Sequence, residues 1–72
     1  MNSNYIRVQA KCYISRRYDN DECLYKIGCA AGVLTQADLQ QMHGGKLTPA
    51  LRSRVLQWLR KNANQIGLTA KD

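Results

Sequence analysis

The stretch "CLYKIGCAAGVL", residues 23–34, fits two secondary structures, and the choice between them decides the fold. Every second residue from Cys23 to position 29 is apolar or aromatic, which is the period of a β-strand. Leu24, Ile27 and Ala31 instead have the spacing of one face of a helix. Both alternatives have to be judged against the residues that precede this stretch.

Residues 5–18, "YIRVQAKCYISRRY", also alternate, with apolar residues at the even positions from Ile6 to Ile14. This pattern predicts a half-buried strand whose other face is polar and basic. If "DND" at 19–21 forms a turn, residues 5–28 make an antiparallel β-hairpin. If "DND" caps a helix instead, that helix ends at Gly32. Aromatic and β-branched residues alternate before position 28, so we favour the hairpin.

The second half of the chain has clear helix boundaries. Thr35 followed by Asp38 is a variant of the capping box and predicts a short helix that ends at the glycines 44–45. Thr48 as N-cap, proline at the first helical position and Gly67 as the stop predict a long helix of about nineteen residues.

The long helix is amphipathic. Its apolar arc contains Leu51, Val55, Leu56, Trp58, Leu59, Asn62, Ala63 and Ile66. Arg54, Arg60 and Lys61 project from the other side, and no acidic residue occurs between positions 46 and 71 to neutralise them. Arg52 falls within the apolar arc, so its side chain either extends past the arc to solvent or meets a partner.

These elements predict one α+β domain over residues 1–72: an N-terminal antiparallel β-hairpin, a short helix and a long C-terminal helix. A chain of this length forms a single small core. The expected core consists of Ile6, Val8, Ile14, Leu24, Ile27, Leu39, Leu51, Val55, Trp58 and Leu59.

The charge of the chain is unevenly distributed. The total is +6, from 11 Lys and Arg against five Asp and Glu. Residues 1–18 carry +4 with no acid, residues 19–38 carry −3, and residues 39–72 carry six bases and one acid. Two basic ends around an acidic middle suit a polyanionic partner, because Lys and Arg release counterions when they contact phosphates.

Catalysis, metal binding and membrane insertion have little support in the sequence. Cys12, Cys23, Cys29 and His43 lack the spacing of a zinc site, and nothing orients the histidine against a thiol. "HGGK" at 43–46 lacks the spacing of a phosphate-binding P-loop. We therefore expect a protein without enzymatic activity, cofactor or metal. Free thiols and the lack of a long apolar run indicate a cytoplasmic protein that does not enter a membrane.

"AAGVLTQADLQQMHGG", residues 30–45, resembles the start of a helix-turn-helix of the lambda-repressor type. In that family a Thr-Gln pair opens a helix, a leucine follows three residues later and a glycine closes it, and Gln36, Leu39 and Gly44 stand at those places. Gln40 departs from the pattern, since the family has a small alanine there. "KLTPALRSRVLQWL", residues 46–59, departs as well, because it is longer than the family's recognition helix. The resemblance implies DNA binding.

"RVQAK", residues 7–11, resembles the short strand of ribbon-helix-helix repressors. Such a strand pairs with its twin across a homodimer and presents alternate side chains to the major groove. The resemblance implies that Arg7, Gln9 and Lys11 face DNA, where Arg and Gln make bidentate contacts to base edges. The long segment before any helix departs from that family.

The sequence as a whole predicts a small basic nucleic-acid-binding regulator, of the kind carried by phages and plasmids, with DNA a better ligand than RNA. Base stacking on Tyr5, Tyr13, Tyr18 and Tyr25 would favour RNA or single strands. The alternative is an inhibitor or adaptor that docks an acidic protein surface. The expected nucleic-acid-binding residues are Arg7, Gln9, Lys11, Arg16, Arg17, Lys46, Arg52, Arg54, Arg60 and Lys61.

Overall fold

Helices account for most of the chain. A computed structural model describes residues 2–17, 21–42 and 46–68. Its helices are α1 (Ser3–Ser15), α2 (Asp21–Ala31), α3 (Gln36–Leu39) and α4 (Pro49–Asn62). The three described ranges contain no β-strand. The expected α+β fold with an N-terminal β-hairpin is therefore wrong, and so is the shared ribbon over residues 7–11.

Helix α1 replaces the predicted first strand. The Asn2 side chain caps the helix, accepting a hydrogen bond from the backbone N–H of Tyr5 at 3.0 Å. Ile6, Ala10 and Tyr13, spaced four and three residues apart, form the buried face. The expected core residue Val8 is instead 53% exposed. The alternating pattern also fits a helix, because Ile6, Ala10 and Ile14 within it are four residues apart, about one helical turn.

Residues 21–31 form helix α2, which is the helical alternative for this stretch and not the favoured β-hairpin. Cys23, Leu24 and Ile27 are buried along it, and Gly32 follows its end with a φ of +74°. Glycine adopts this left-handed conformation without steric cost, which suits the end of a helix. The backbone N–H groups of residues 33 and 34 both donate to the carbonyl of Gly28, at 2.9 and 3.1 Å. The chain therefore turns back against α2. The proposed turn residues 19 and 20 lie outside the described ranges.

The predicted starts of the last two helices are confirmed. Thr35 and Asp38 form a complete capping box at α3, and Thr48 caps α4 directly before proline. Both helices are shorter than predicted. Helix α3 ends at position 39, and glycines 44 and 45 lie outside the described residues. Helix α4 ends at position 62, and turns follow up to Gly67, whose φ is +86°.

The core forms where α1 and α4 both pack against α2. Five of the expected core residues are buried, namely Ile6, Leu24, Ile27, Leu51 and Val55. Leu39, Trp58 and Leu59 are partly buried against the same cluster. The sequence-based core omitted Ala10, Tyr13, Cys23, Leu34, Leu47, Ile66 and Leu68, all of which are buried.

Candidate nucleic-acid interface

Acidic side chains in the described ranges are all neutralised by ion pairs. Glu22 contacts Lys26 at 3.2 Å along α2, and Asp38 contacts Arg54 at 3.0 Å. Asp21 pairs with Arg52. Seven basic side chains have no acidic partner within the described residues: Arg7, Lys11, Arg16, Arg17, Lys46, Arg60 and Lys61. Two of the three pairs, Asp21 with Arg52 and Asp38 with Arg54, neutralise arginines of the basic C-terminal end, whereas no described cation of residues 2–17 has an acidic partner among the described residues.

Helix α4 presents an exposed basic face beside α3. Arg54 and Lys61 are seven residues apart, so they lie on one side of the helix, with exposed Gln57 between them. Arg60 is also exposed but points about 120° away from Arg54 around the helix axis. Arg54 is half exposed while it contacts Asp38, so this pair joins the basic face to α3.

The exposed face of α3 and the turn after it is rich in amides. Gln36 and Gln40 are four residues apart, and so are Ala37 and Gln41; all four are exposed. Gln40 keeps helical backbone angles, φ −69° and ψ −15°, so the face continues past the end of α3. The expected site omitted these glutamines. Their four-residue spacing lies within the helix that the Thr35 cap predicts, but outside residues 7–11 the expected site was drawn from basic residues alone.

Asp38 is held against the protein on the inner side of α3. Its carboxylate accepts hydrogen bonds from the backbone N–H and the hydroxyl of Thr35, both at 2.9 Å. These bonds, with a smaller effect from Arg54, lower the pKa of Asp38 below its ordinary value. Because only 14% of the side chain is exposed, this carboxylate contributes little negative charge to the outer surface.

Arg52 belongs to a structural network rather than to the exposed basic face. Its guanidinium pairs with Asp21, donates to the Tyr13 hydroxyl at 3.0 Å and lies 5.9 Å from the centre of that ring. The other Asp21 oxygen accepts from the backbone N–H of Leu47 at 3.2 Å. This network joins α1, α2, α4 and the segment before α4. Lys46, one residue before that N–H, is exposed.

The basic residues of α1 form separate groups. Arg7 and Lys11 are four residues apart on one side, and the Arg7 side chain lies against Gly67. Gln9 is partly buried and lies about 200° from Arg7 around the axis, so the expected row of Arg7, Gln9 and Lys11 does not share a face. Arg16 and Arg17 are exposed at the C-terminal end, where cations also interact favourably with the helix dipole.

Two of the three cysteines, Cys12 and Cys23, have the surroundings of packing residues. Burial of Cys23 raises the pKa of its thiol, and a hydrogen bond with Cys12 raises it further. A raised pKa disfavours the nucleophilic thiolate. Cys29 is exposed, and the described part of the chain brings no three His, Cys, Asp or Glu side chains together in a group that would hold a metal ion. His43 lies outside the described residues.

Comparisons with protein-family models, with curated protein sequences and with solved structures found no match. None of the helices in the described ranges has the length and apolar character required to span a membrane.

Proposed function

We propose that this chain is a regulator that binds duplex DNA, with α3 in the major groove and the basic side chains around it on the phosphates. The observation that supports the proposal most is the set of seven described cations without acidic partners. Neutralising phosphates with such groups releases counterions from DNA, which is the main source of sequence-independent affinity.

The arrangement of α2 and α3 supports entry into a groove. A helix-turn-helix joins two helices through a short turn that often contains glycine. Helix α2 and α3 are joined by residues 32–35, which begin with Gly32 in the left-handed conformation. A side-chain carbon at Gly28 would lie 2.5 Å from Leu34, so the turn packs closely on α2. In this arrangement the second helix reads the major groove.

This proposal assigns the recognition role to a different helix from the one that the sequence indicated. There, Thr35 and Gln36 opened a helix closed by Gly44, and residues 46–59 stood in the place of the recognition helix. Helix α3 ends at Leu39, but the amides that it exposes continue onto Gln40 and Gln41 in the turn after it. We assign recognition to α3 and its exposed amides, and support of the backbone to α4.

The expected site residues then have different roles. Lys46 and Lys61 have no acidic partner among the described residues, and we propose that they contact phosphates beside α3. Arg54 keeps its pair with Asp38 and joins α4 to α3, and Arg60, on another side of α4, adds to the positive field. Arg7, Lys11, Arg16 and Arg17 on α1 add to the positive field that attracts DNA. Arg52 positions α4 through its network with Asp21 and Tyr13. Gln9 is partly buried and receives no role in binding.

A salt titration tests this proposal. Fluorescence anisotropy with a short random-sequence duplex should show binding that weakens steeply between about 50 and 200 mM salt. Lys61→Gln should reduce the magnitude of the log–log slope by about 0.9, the value for one phosphate contact. Lys26→Gln is the charge-matched control on α2, because Lys26 is already paired with Glu22. Its slope should equal that of the wild type.

Failure to bind duplex DNA at low salt would refute the proposal, as would an affinity independent of salt. Tight binding to an acidic protein under the same conditions would then favour the inhibitor or adaptor alternative. We propose that the protein acts in the cytoplasm, which its three free cysteines support. The proposed role involves no catalysis.

A further inference from the structure

We infer that the surface formed by residues 36–41 discriminates in favour of A·T base pairs, with Gln36 and Gln40 as the specificity-determining residues. This inference rests on the proposed function and concerns which bases α3 prefers. The side chains that face outward from α3 carry it, because their chemistry is unusually uniform.

The outward face consists of two adjacent rows. Gln36 and Gln40 form one row, and Ala37 and Gln41 form the other. All four are exposed, whereas the intervening residues Asp38 and Leu39 are partly buried, Leu39 against the core. A groove-binding ligand that approaches α3 from solvent would therefore meet three amides and one methyl group, and no charged group on this face.

A glutamine amide matches the major-groove edge of adenine. The amide carries a donor and an acceptor side by side, and adenine presents the complementary N7 acceptor and N6 donor. Guanine presents two acceptors, N7 and O6, which suit the paired donors of arginine. The methyl group of Ala37 offers an apolar contact to the methyl group of thymine. Each of the four exposed residues thus favours A·T over G·C.

Two charged side chains near this face are prevented from reversing the preference. A free arginine would favour guanine and a free carboxylate would favour cytosine, whose N4 amino group is a donor. Arg54 and Asp38 contact each other at 3.0 Å, and the Asp38 carboxylate also binds Thr35. Because each charge is held by the other, the glutamines are left as the base-reading groups.

Selection from a pool of random-sequence duplexes tests the inference. The wild-type protein should enrich sites that contain adenine at two or more fixed positions. Gln36→Ala and Gln40→Ala should each lower affinity for the selected site by a factor of about 5 to 150, which corresponds to one lost bidentate contact. The salt slope on random duplex should not change. Gln57→Ala, an exposed glutamine on α4, is the matched control and should leave discrimination intact.

The possible outcomes separate this inference from the proposed function. Duplex binding with a G·C-rich selected site, or A·T discrimination that survives both substitutions, overturns the inference and leaves DNA binding standing. No duplex binding at low salt overturns both. The substituted glutamines are exposed, so circular dichroism should confirm that the variants fold. Unchanged affinity for random duplex then shows that a variant has lost base discrimination and not its folded, DNA-binding state.

Discussion

Gly28 provides a substitution for which helix propensity and packing predict opposite signs. Alanine in a helix interior is more stable than glycine by about 1 kcal/mol, so propensity alone predicts that Gly28→Ala stabilises α2. The new Cβ, however, would lie 2.5 Å from both Cγ and Cδ1 of Leu34 and 3.1 Å from Cγ2 of Val55. Ordinary carbon contacts are about 3.5–4.0 Å, so the overlap with Leu34 is about 1 Å.

Packing should decide the outcome at Gly28. Leu34 is 6% exposed and Val55 is fully buried, so neither side chain has open space to move into. Overpacking of this kind costs about 1–3 kcal/mol, which leaves a net loss of about 1 kcal/mol after the propensity gain. In a domain of this size that loss lowers Tm by about 4–8 °C. Thermal unfolding followed by circular dichroism measures the shift.

A double-mutant cycle identifies the cause of that loss. In a Leu34→Ala background the overlap is removed, so the Gly28→Ala step should become stabilising by up to about 1 kcal/mol. TMAO present in all four samples keeps the weaker variants folded. Ala31→Gly, near the end of the same helix, is the control for propensity. A rise in Tm for Gly28→Ala in the wild-type background would refute the close packing of the turn on α2.

Further predictions concern caps and the network around Arg52. Thr48→Ala should destabilise the protein by about 1 kcal/mol in urea unfolding, because it removes the side-chain cap at the start of α4. Tyr13→Phe should cost about 0.5–1.5 kcal/mol by the same assay, since the guanidinium of Arg52 loses a hydrogen-bond acceptor. Asp38 has a folded-state pKa below its ordinary value of 3.8, so its contribution to stability is present above pH 3.8 and is lost as the pH falls through the lower value. The stability difference between wild type and Asp38→Asn should therefore shrink on acidification; a constant difference would contradict the capping bonds from Thr35.

The sequence was sufficient to predict the starts of α3 and α4, because each start depends on residues close together in the chain. Thr35 and Thr48 were identifiable as caps from residue type and position alone, and each accepts a hydrogen bond from the backbone N–H three residues later. The first helix was missed because its apolar residues satisfy strand and helix spacing alike. Tyr13 lies on the buried face of that helix, although its side chain has a polar hydroxyl. Its partner Arg52 is 39 residues away, so no local pattern reveals it.

The same long-range contacts explain which site residues could be anticipated. The exposed cations of α4 followed from the 3.6-residue period, and Arg54 and Lys61 lie where that period places them. The placement of Arg52 in the apolar arc predicted that it needed a partner or a route to solvent, but Asp21 was not identifiable as that partner. The glutamines of α3 were missed although the Thr35 cap predicted a helix there, because outside residues 7–11 only basic side chains were expected to bind nucleic acid.

The most direct test of the central claim, that α3 faces DNA, is chemical-shift mapping. Amide ¹H–¹⁵N spectra of the labelled protein would be recorded during titration with the selected duplex. We predict that the largest shifts occur at Gln36, Gln40 and Gln41, including their side-chain amides, with smaller shifts at Lys46 and Lys61. Shifts concentrated on α1 between Tyr5 and Lys11, with α3 unchanged, would contradict the account.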